Sequence, residues 1–301
     1  MSRIYSCTMF YNEFRLLDLK VEEELAGGVC HFLVSEAGET FSGKPKERLL
    51  KDSNFDHPNV ERVDVEDFSA AIHEKPSIRA FQREAIQRNA PIFFLREEMG
   101  LKDDDVVICT DIDEVFPASD IQIIAAAARE HGIVHCLIKQ FLYKINLHHR
   151  QPYYGAFAAL GGFFNNGLTI NRLRTQQAKI IRTNGKHFEY LGLGPAGVAQ
   201  KMGDFAHISY DKPEFTDEAV LRKAIEEHRD PYRRGVVHTP VRIDDTYPWA
   251  IRGNLRDWEA YIEEGATARL SDFPEVPVEQ FQSPNSLDQA VYEAVNSVEA
   301  S

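Results

Sequence analysis

Short apolar runs alternate with helix-like patterns through the first half of the chain, and this alternation limits the fold more than any other feature. The strands are predicted at Ile4–Phe10, Cys30–Ser35 and Val106–Thr110 and, once or twice, within Ile133–Ile145. Because Val106–Thr110 is uncharged and mostly apolar, it is suited to the buried middle of a sheet. The alternation predicts an α/β fold in which a Rossmann-like, mixed but mainly parallel sheet lies between helices.

The helices between these strands are predicted from apolar periodicity and from capping residues. Asn12 is expected to cap the first helix, on which Glu22–Glu24 face water. Pro76 begins a second helix, and Ser119 is expected to cap a third. The segment Thr216–His228 has one apolar face and predicts a further amphipathic helix.

The composition excludes several classes of protein. The chain has 301 residues, with 34 Lys and Arg against 47 Asp and Glu, so its formal net charge is −13. This balance argues against general binding to nucleic acids or anionic lipid surfaces, which needs clustered positive charge. No run reaches the roughly 18 apolar residues of a membrane helix. The four cysteines form no C-x-x-C motif and are expected to be buried free thiols. We therefore expect a soluble, cytoplasmic protein without an integral membrane segment.

The chain is predicted to contain one main domain and a tail. Residues 1–265 are long enough to bury the core of a single large α/β domain. Within it, Tyr153–Asn171 is rich in glycine and aromatic residues, which predicts loops and short strands over the site. No lysine or arginine follows Arg269, and prolines interrupt that segment. Residues 266–301 are therefore predicted to form an acidic tail with a short helix from Ser286.

Two acidic residues follow the apolar strand Val106–Thr110. Asp111 and Asp113 lie two residues apart at its carboxyl end, where ligands bind in folds of this class. Carboxylate oxygens suit Mg²⁺ or Mn²⁺, which would then bridge the phosphates of a substrate. The pattern indicates a metal site, although an acidic turn that only caps the next helix would have the same sequence.

Two reactions use aspartates at this spacing after a strand. A glycosyltransferase of the GT-A type holds a nucleotide-diphosphate sugar through a metal bound to D-x-D. A haloacid-dehalogenase-like phosphatase would use Asp111 as nucleophile and Asp113 as acid. The phosphatase motif is expected near the start of its domain, whereas residues 1–110 precede it here. It also needs a later acidic pair after an apolar strand, and Arg242 interrupts the run before Asp244–Asp245.

Further motifs occur in the same order along residues 5–230 and carry a resemblance to a known family. They are Met9–Glu13, Phe32–Ala37, Thr40–Lys46, Gln82–Ile86, Asp105–Glu114, Tyr143–Asn146, Gly185–Tyr190 and Asp204–Tyr210. Together they resemble glycosyltransferase family 17, which includes the bisecting β-1,4-N-acetylglucosaminyltransferase. The resemblance implies a single GT-A-type domain, a UDP-sugar donor, a divalent metal (Mn²⁺ or Mg²⁺), inversion at the anomeric carbon and transfer of N-acetylglucosamine.

The resemblance also implies a set of metal ligands. Asp113 is expected to hold the metal, with Asp111 beside it or acting through water. Asp111 is also counted among the donor-binding residues. His187 and His207 are alternative further ligands, because GT-A enzymes commonly recruit a histidine from the later half of the chain. His148–His149 are expected in a solvated loop.

Donor-binding residues are expected at the ends of the first two strands, where such folds bind a nucleotide base and ribose. Asn12, Glu13 and Glu36 occupy these positions. Glu13 would serve equally well in the first helical turn for the dipole alone. Arg83 is placed to face the diphosphate or an exposed helix surface. Lys46 follows a Gly-Lys-Pro turn and is expected to reach donor phosphate or acceptor, unless it is an ordinary surface lysine.

Inverting transfer also needs a carboxylate base at the acceptor hydroxyl. Glu114, Glu189 and Asp204 all qualify, and the sequence leaves them as alternatives. The family shows W-H-x-S-Y where this chain has Lys186–Tyr190, which points to a different acceptor pocket. The same departure keeps open a catalytically silent sugar-binding homologue. A glycan or small glycoside other than the bisected N-glycan is the expected acceptor.

Overall fold

A single mixed sheet organises the protein. The computed structural model describes residues 2–53 and 55–281. The strands of this part are β1 (Ile4–Met9), β2 (His31–Ala37), β3 (Val60–Val65), β4 (Val106–Cys109), β5 (Glu114–Val115), β6 (Ile133–Leu142), β7 (Leu147–Tyr153), β8 (Phe157–Leu160), β9 (Lys179–Glu189) and β10 (Thr239–Pro240). They lie in the order β10-β7-β6-β8-β4-β1-β2-β3, and β9 pairs with both β5 and β6.

Helices cover both faces of this sheet. Apart from short 3₁₀ turns, they are α1 (Phe14–Ala26), α2 (Leu49–Asp52), α3 (Pro76–Glu97), α4 (Ala118–His131), α5 (Gly161–Asn165), α6 (Ile170–Arg174), α7 (Pro195–Asp204), α8 (Pro213–Thr216), α9 (Glu218–Glu226) and α10 (Trp249–Gly253). Strands β3, β2, β1 and β4 are mutually parallel, while β8 runs antiparallel between β4 and β6. This arrangement confirms the predicted α/β fold with a Rossmann-like mixed sheet between helices.

Alternate residues of the central strand β4 pack against helices on opposite faces of the sheet. Val106 and Ile108 of β4 pack with Ile121 of α4, whereas Val107 of β4 packs in a second core cluster with Ile92 of α3. Successive strand residues point to opposite faces, so an uncharged strand must be covered on both sides. The carboxyl end of β4 is thereby buried, which fixes where its acidic turn emerges.

Two predicted helix starts are wrong by one or two residues. Helix α1 follows Glu13 rather than Asn12, and the Glu13 carboxylate accepts hydrogen bonds from the backbone N–H groups of Tyr11 and Asn12. Helix α4 begins directly after Pro117, so Ser119 lies inside it. Proline supplies the backbone angle of a helix start without any side-chain cap.

The later segments also differ in detail from the expectation. Thr216–His228 is divided between α8 and α9, because Asp217 caps the second helix by accepting from the N–H groups of Ala219 and Val220. The glycine-rich middle segment contains β8, a central strand, beside two short helices. The described residues include no helix that is long and apolar enough to cross a membrane.

The segment after residue 265 lies against the main core over the part that the structure describes. Ala268 pairs with Val241, and Leu270 is buried in the same cluster as Tyr247. The predicted helix from Ser286 lies outside the described residues, and the boundary at 265 stays a prediction. All four cysteines are free thiols; three are buried and Cys30 is half-buried.

Helix α1 buries acidic residues that were expected to face water. Glu22 is exposed as predicted, but Glu23 and Glu24 are fully buried. Lys20, also fully buried, donates to Glu24 Oε1 at 2.5 Å and to the carbonyl oxygen of Glu114 at 2.6 Å. The expectation failed because it took this helix to have one covered face, whereas α4, α10 and β5 also pack on it.

We expect Lys20→Met to lower the free energy of unfolding by about 3–5 kcal/mol, because Glu24 would keep a buried charge without a partner. The double variant Lys20→Met/Glu24→Leu removes both charges and is expected to regain most of this loss. Urea denaturation monitored by circular dichroism measures both. A double variant no more stable than the single one would contradict the importance of this pair.

Candidate active site

The acidic turn after β4 is fixed by hydrogen bonds to itself and to β9. Asp111 N–H donates to Glu114 Oε2 at 2.8 Å, and Glu114 N–H donates back to the Asp111 carbonyl at 3.1 Å. Strand β5 then pairs antiparallel with β9, where Glu114 lies opposite His187. The N–H of Phe188 donates to the Asp113 carbonyl at 2.7 Å. The sheet therefore holds this turn beside the end of β9.

Asp111 is enclosed by two arginines from separate helices. Arg174 forms a two-point contact with it, at 2.9 Å (Nη2–Oδ2) and 3.2 Å (Nη1–Oδ1), and Arg88 Nη2 lies 3.2 Å from Oδ1. Burial alone would raise the pKa of Asp111, but the charges of Arg174 and Arg88 hold that pKa far below its usual value. Asp111 is therefore an anchored carboxylate with both oxygens engaged by arginines.

Asp113 lies between an imidazole and an ammonium group. His187 Nε2 is 3.4 Å from its Oδ1, and Lys201 Nζ is 3.4 Å from its Oδ2. Burial opposes ionisation, yet Lys201 and His187 lower the pKa of Asp113 to about 2. Burial also lowers the pKa of His187, but Asp113 outweighs it and raises that pKa to about 9. Asp113 and His187 are thus brought together as predicted.

Lys201 also connects Glu13, the residue before α1, to Asp113. Its ammonium lies 3.2 Å from Glu13 Oε1, so it bridges the carboxylates of Glu13 and Asp113. The chain therefore brings Glu13 to the candidate site through a charge that the sequence analysis missed. Asn12 is exposed, and its backbone N–H donates to Glu13.

The three candidate bases have different surroundings. Glu114 is fully buried, and burial, followed by the charge of Asp111, raises its pKa to about 7. Asp204 is also buried and accepts hydrogen bonds from the Tyr11 hydroxyl and from Lys44. Glu189 is partly exposed and lies two residues after His187 on β9, so both point to the same face.

Over the part of the chain that the structure describes, Glu189 accepts side-chain hydrogen bonds from neutral donors and forms no ion pair. Gln140 Nε2 donates to its Oε2 at 2.9 Å, and the Tyr232 hydroxyl donates to its Oε1 at 3.2 Å. These two contacts orient the carboxylate without an ion pair. Among the three candidates, Glu189 is therefore the carboxylate that an incoming hydroxyl group can approach.

Glu36 and Lys46 form a structural pair at the end of β2. Glu36 is fully buried, accepts from the N–H groups of Leu50 and Lys51 at 3.1 Å, and lies 3.5 Å from Lys46 Nζ. These contacts anchor the start of α2. The Lys46 ammonium also lies 5.6 Å from the centre of the Tyr11 ring, in the turn between β1 and α1 that also carries Glu13.

Some predicted residues do not reach this cluster. Arg83 pairs with Glu39 at 2.9 Å and so belongs to the loop after β2. His207 is exposed, and its ring packs edge-on against Phe81 at 5.0 Å rather than against Asp113. The expected solvated loop at His148–His149 is also wrong, because His148 is buried within β7.

Four residues of the site were missed by sequence reasoning: Arg88, Arg174, Lys201 and Tyr153. The ring of Tyr153 packs on His187 with centroids 4.4 Å apart, and its hydroxyl accepts from Arg174 at 3.1 Å. Lys201 had a usable signal, because it shares a helix face with Val198 and Met202, and a lysine on an apolar face needs a buried partner. We see no comparable local signal for the two arginines.

The residues present permit a metal with only two protein ligands. Within residues 2–53 and 55–281, no three His, Cys, Asp or Glu side chains converge as a metal cage. Asp113 Oδ1 and His187 Nε2 are 3.4 Å apart, the separation expected for two ligands with bonds of about 2.0–2.2 Å to one ion. An ion there would need oxygen ligands from a bound substrate or from water.

Arg174→Met tests the anchoring of Asp111. We expect it to lower the free energy of unfolding by about 1.5–3 kcal/mol at neutral pH, because a carboxylate that is 25% exposed loses its two-point partner but keeps Arg88. Arg172→Met, an exposed position on the same helix, is the control and should change stability by less than about 0.5 kcal/mol.

The stability difference between Arg174→Met and its control Arg172→Met is expected to depend on pH. The folded-state pKa of Asp111 is depressed, so the stability from its ion pairs is present above its unfolded pKa of about 3.9 and is lost as the pH falls below it. Chemical denaturation from pH 3 to 8 should therefore show the largest deficit of Arg174→Met near neutral pH. A deficit that grows toward low pH would contradict this assignment.

Comparison with known proteins assigns the chain to a family. A search of curated proteins gave no match. A sequence profile of glycosyltransferase family 17 matches residues 1–232, which include β1 to β9 and the acidic turn. This match covers well over half of the 301 residues, and the chain belongs to glycosyltransferase family 17.

Proposed function

We propose that the protein transfers N-acetylglucosamine from a UDP-sugar to a glycan or small glycoside, with inversion and with Mn²⁺ or Mg²⁺. Family membership supplies glycosyl transfer, which implies a sugar donor and an acceptor. The observation that carries the finer proposal is Asp113, which lies between His187 and Lys201 at the carboxyl edge of the sheet. Cytoplasmic localisation stays a prediction.

Asp113 and His187 would hold the metal. When bound, the ion would offset the negative charge that develops on the departing UDP. Lys201 places a further positive charge beside Asp113 and keeps Glu13 and Asp113 close together without a metal. Arg174 and Arg88 hold Asp111, so the turn carries less uncompensated negative charge toward an incoming diphosphate.

Glu189 is the proposed base. It would take the proton of the acceptor hydroxyl as that oxygen bonds to the anomeric carbon on the side opposite to UDP, and a single displacement of this kind inverts the configuration. Gln140 and the Tyr232 hydroxyl would orient the carboxylate for this transfer. Its partial exposure supports the role, in contrast to the enclosed Glu114.

The two other readings of the sequence lose support. A phosphatase would need Asp111 as a free nucleophile, whereas Arg174 and Arg88 engage both of its oxygens. A silent homologue was suggested partly by Lys186, but its ammonium donates to the Thr246 carbonyl at 2.7 Å and packs over Tyr247, away from Asp113. Family membership supports enzymatic transfer.

Asp113→Asn is expected to abolish metal-dependent donor binding, since a neutral amide oxygen lacks the charge with which a carboxylate binds a divalent cation. The melting temperature of the wild type should rise with UDP and Mn²⁺ together. The variant should show no such joint rise. The control Cys109→Ala lies four residues earlier within β4 and should lower stability by about 1 kcal/mol yet keep the full rise. An equal rise in Asp113→Asn would place the metal elsewhere.

Glu189→Gln separates the base from donor binding. We expect transfer to fall by about 10²–10⁴-fold, the usual contribution of a general base, while the UDP and Mn²⁺ thermal shift stays unchanged. Transfer would be followed as UDP release from UDP-N-acetylglucosamine across a panel of glycosides. The anomeric configuration of the product, read by NMR, should be opposite to that of the donor. Transfer at the wild-type rate in this variant, or a product that retains configuration, would contradict the mechanism.

A further inference from the structure

A second cleft lies on the opposite side of β9 from the candidate active site. Its volume is about 690 Å³, within the range of ligand pockets. Lys186 and His187 are consecutive on β9 and point to opposite faces. His187 faces Asp113, whereas Lys186 reaches the carbonyl of Thr246, which lines the cleft. The sheet therefore separates the cleft from the acidic turn.

Positive charge collects in this cleft although the chain is acidic overall. The basic side chains that line it are Lys139, Arg150, Arg182, Arg242 and Arg269. Arg182 forms an ion pair with Glu275 at 3.3 Å. Over the described parts of the chain, the other four have no ion-pair partner, and Arg242 donates to the neutral carbonyl of Thr267. A cluster of unpaired cations in a chain of net charge −13 indicates that something else supplies the negative charge.

Two side chains that line the cleft have polar atoms without a hydrogen-bond partner among the described residues. Lys139 is half-buried, its ammonium makes no hydrogen bond or ion pair with any described residue, and burial lowers the pKa of that ammonium. His148 is 5% exposed, and its Nδ1 is buried without a hydrogen-bond partner. Desolvation without a partner costs free energy, so such groups commonly mark a place where a ligand completes the hydrogen bonds.

Negative groups in the lining do not cancel this charge. Asp244 is turned onto its own loop, where it accepts from the N–H and the hydroxyl of Thr246. Glu275 forms an ion pair with Arg182. Together with Asp245, these acids number three against five basic residues. Phe273 adds an apolar wall, with the Arg150 guanidinium 6.0 Å from its ring centre.

We propose that this cleft binds a saccharide that carries an oxyanion, such as a carboxylate, phosphate or sulfate. The lining cations supply the recognition of the anion. The volume accommodates more than a single small ion. A saccharide is the ligand class that glycosyl transfer already requires. This proposal depends on neither the metal nor the donor.

Isothermal titration of the full chain with trigalacturonate, without UDP or metal, tests the proposal. We expect binding that weakens as salt is raised from 20 to 300 mM, because screening reduces exposed charge interactions. Lys139→Met and Arg150→Met should each weaken binding by about tenfold, the loss expected for one charge-assisted hydrogen bond. Lys179→Met, an exposed lysine of β9 outside the cleft, is the matched control and should bind as the wild type does.

Maltotriose and inorganic phosphate distinguish the sources of binding. Maltotriose should not bind, since it lacks an anion, and phosphate should bind more weakly than trigalacturonate. Equal binding of maltotriose, binding of phosphate alone, or full binding in both Lys139→Met and Arg150→Met would overturn the proposal. Arg150 is exposed, so its variant is expected to keep the wild-type melting temperature if Lys139→Met is destabilised. Donor binding measured separately keeps this outcome distinct from failure of the proposed function.

Discussion

Three acidic residues lie within four positions at the end of β4, and much of the surrounding structure supplies their counter-charges. Asp113 is buried and the Asp111 side chain is only 25% exposed, so these two carboxylates need nearby cations to remain ionised. The cations come from three helices: Arg88 from α3, Arg174 from α6 and Lys201 from α7. Those helices must therefore pack around the turn for the turn to form.

The two aspartates of the acidic turn have different contacts. Asp111 is closed by a two-point arginine contact, and Glu114 closes the turn through the Asp111 N–H. Asp113 has longer contacts, 3.4 Å to His187 and to Lys201, and the proposed function has it bind a metal ion in their place. In the proposed mechanism, Asp111 has a structural role and Asp113 binds the metal. The arginine contacts of Asp111 also argue against the phosphatase hypothesis, which needs Asp111 as a free nucleophile.

Sequence reasoning located β1, β2, β4, β6 and the acidic turn, because apolar runs and strand ends are local features, but it did not predict β3 or β9. His187 was named from the family resemblance, with His207 as an alternative. It missed Arg88 and Arg174, which lie 23 and 63 residues from Asp111 and meet it only through helix packing. It placed Glu23 and Glu24 in water because one-face periodicity does not show that other helices cover α1. Burial from several sides is a tertiary property, and the sequence pattern alone does not contain it.

The most direct measurement is anomalous diffraction from crystals soaked with UDP and Mn²⁺. The account predicts one manganese peak within about 2.0–2.3 Å of an Asp113 oxygen and of His187 Nε2. It also predicts that Arg174 keeps its two-point contact with Asp111 and that nucleotide phosphate completes the ion's ligands. A peak on Asp111 with Arg174 displaced, or UDP bound with no ion near Asp113, would contradict the account.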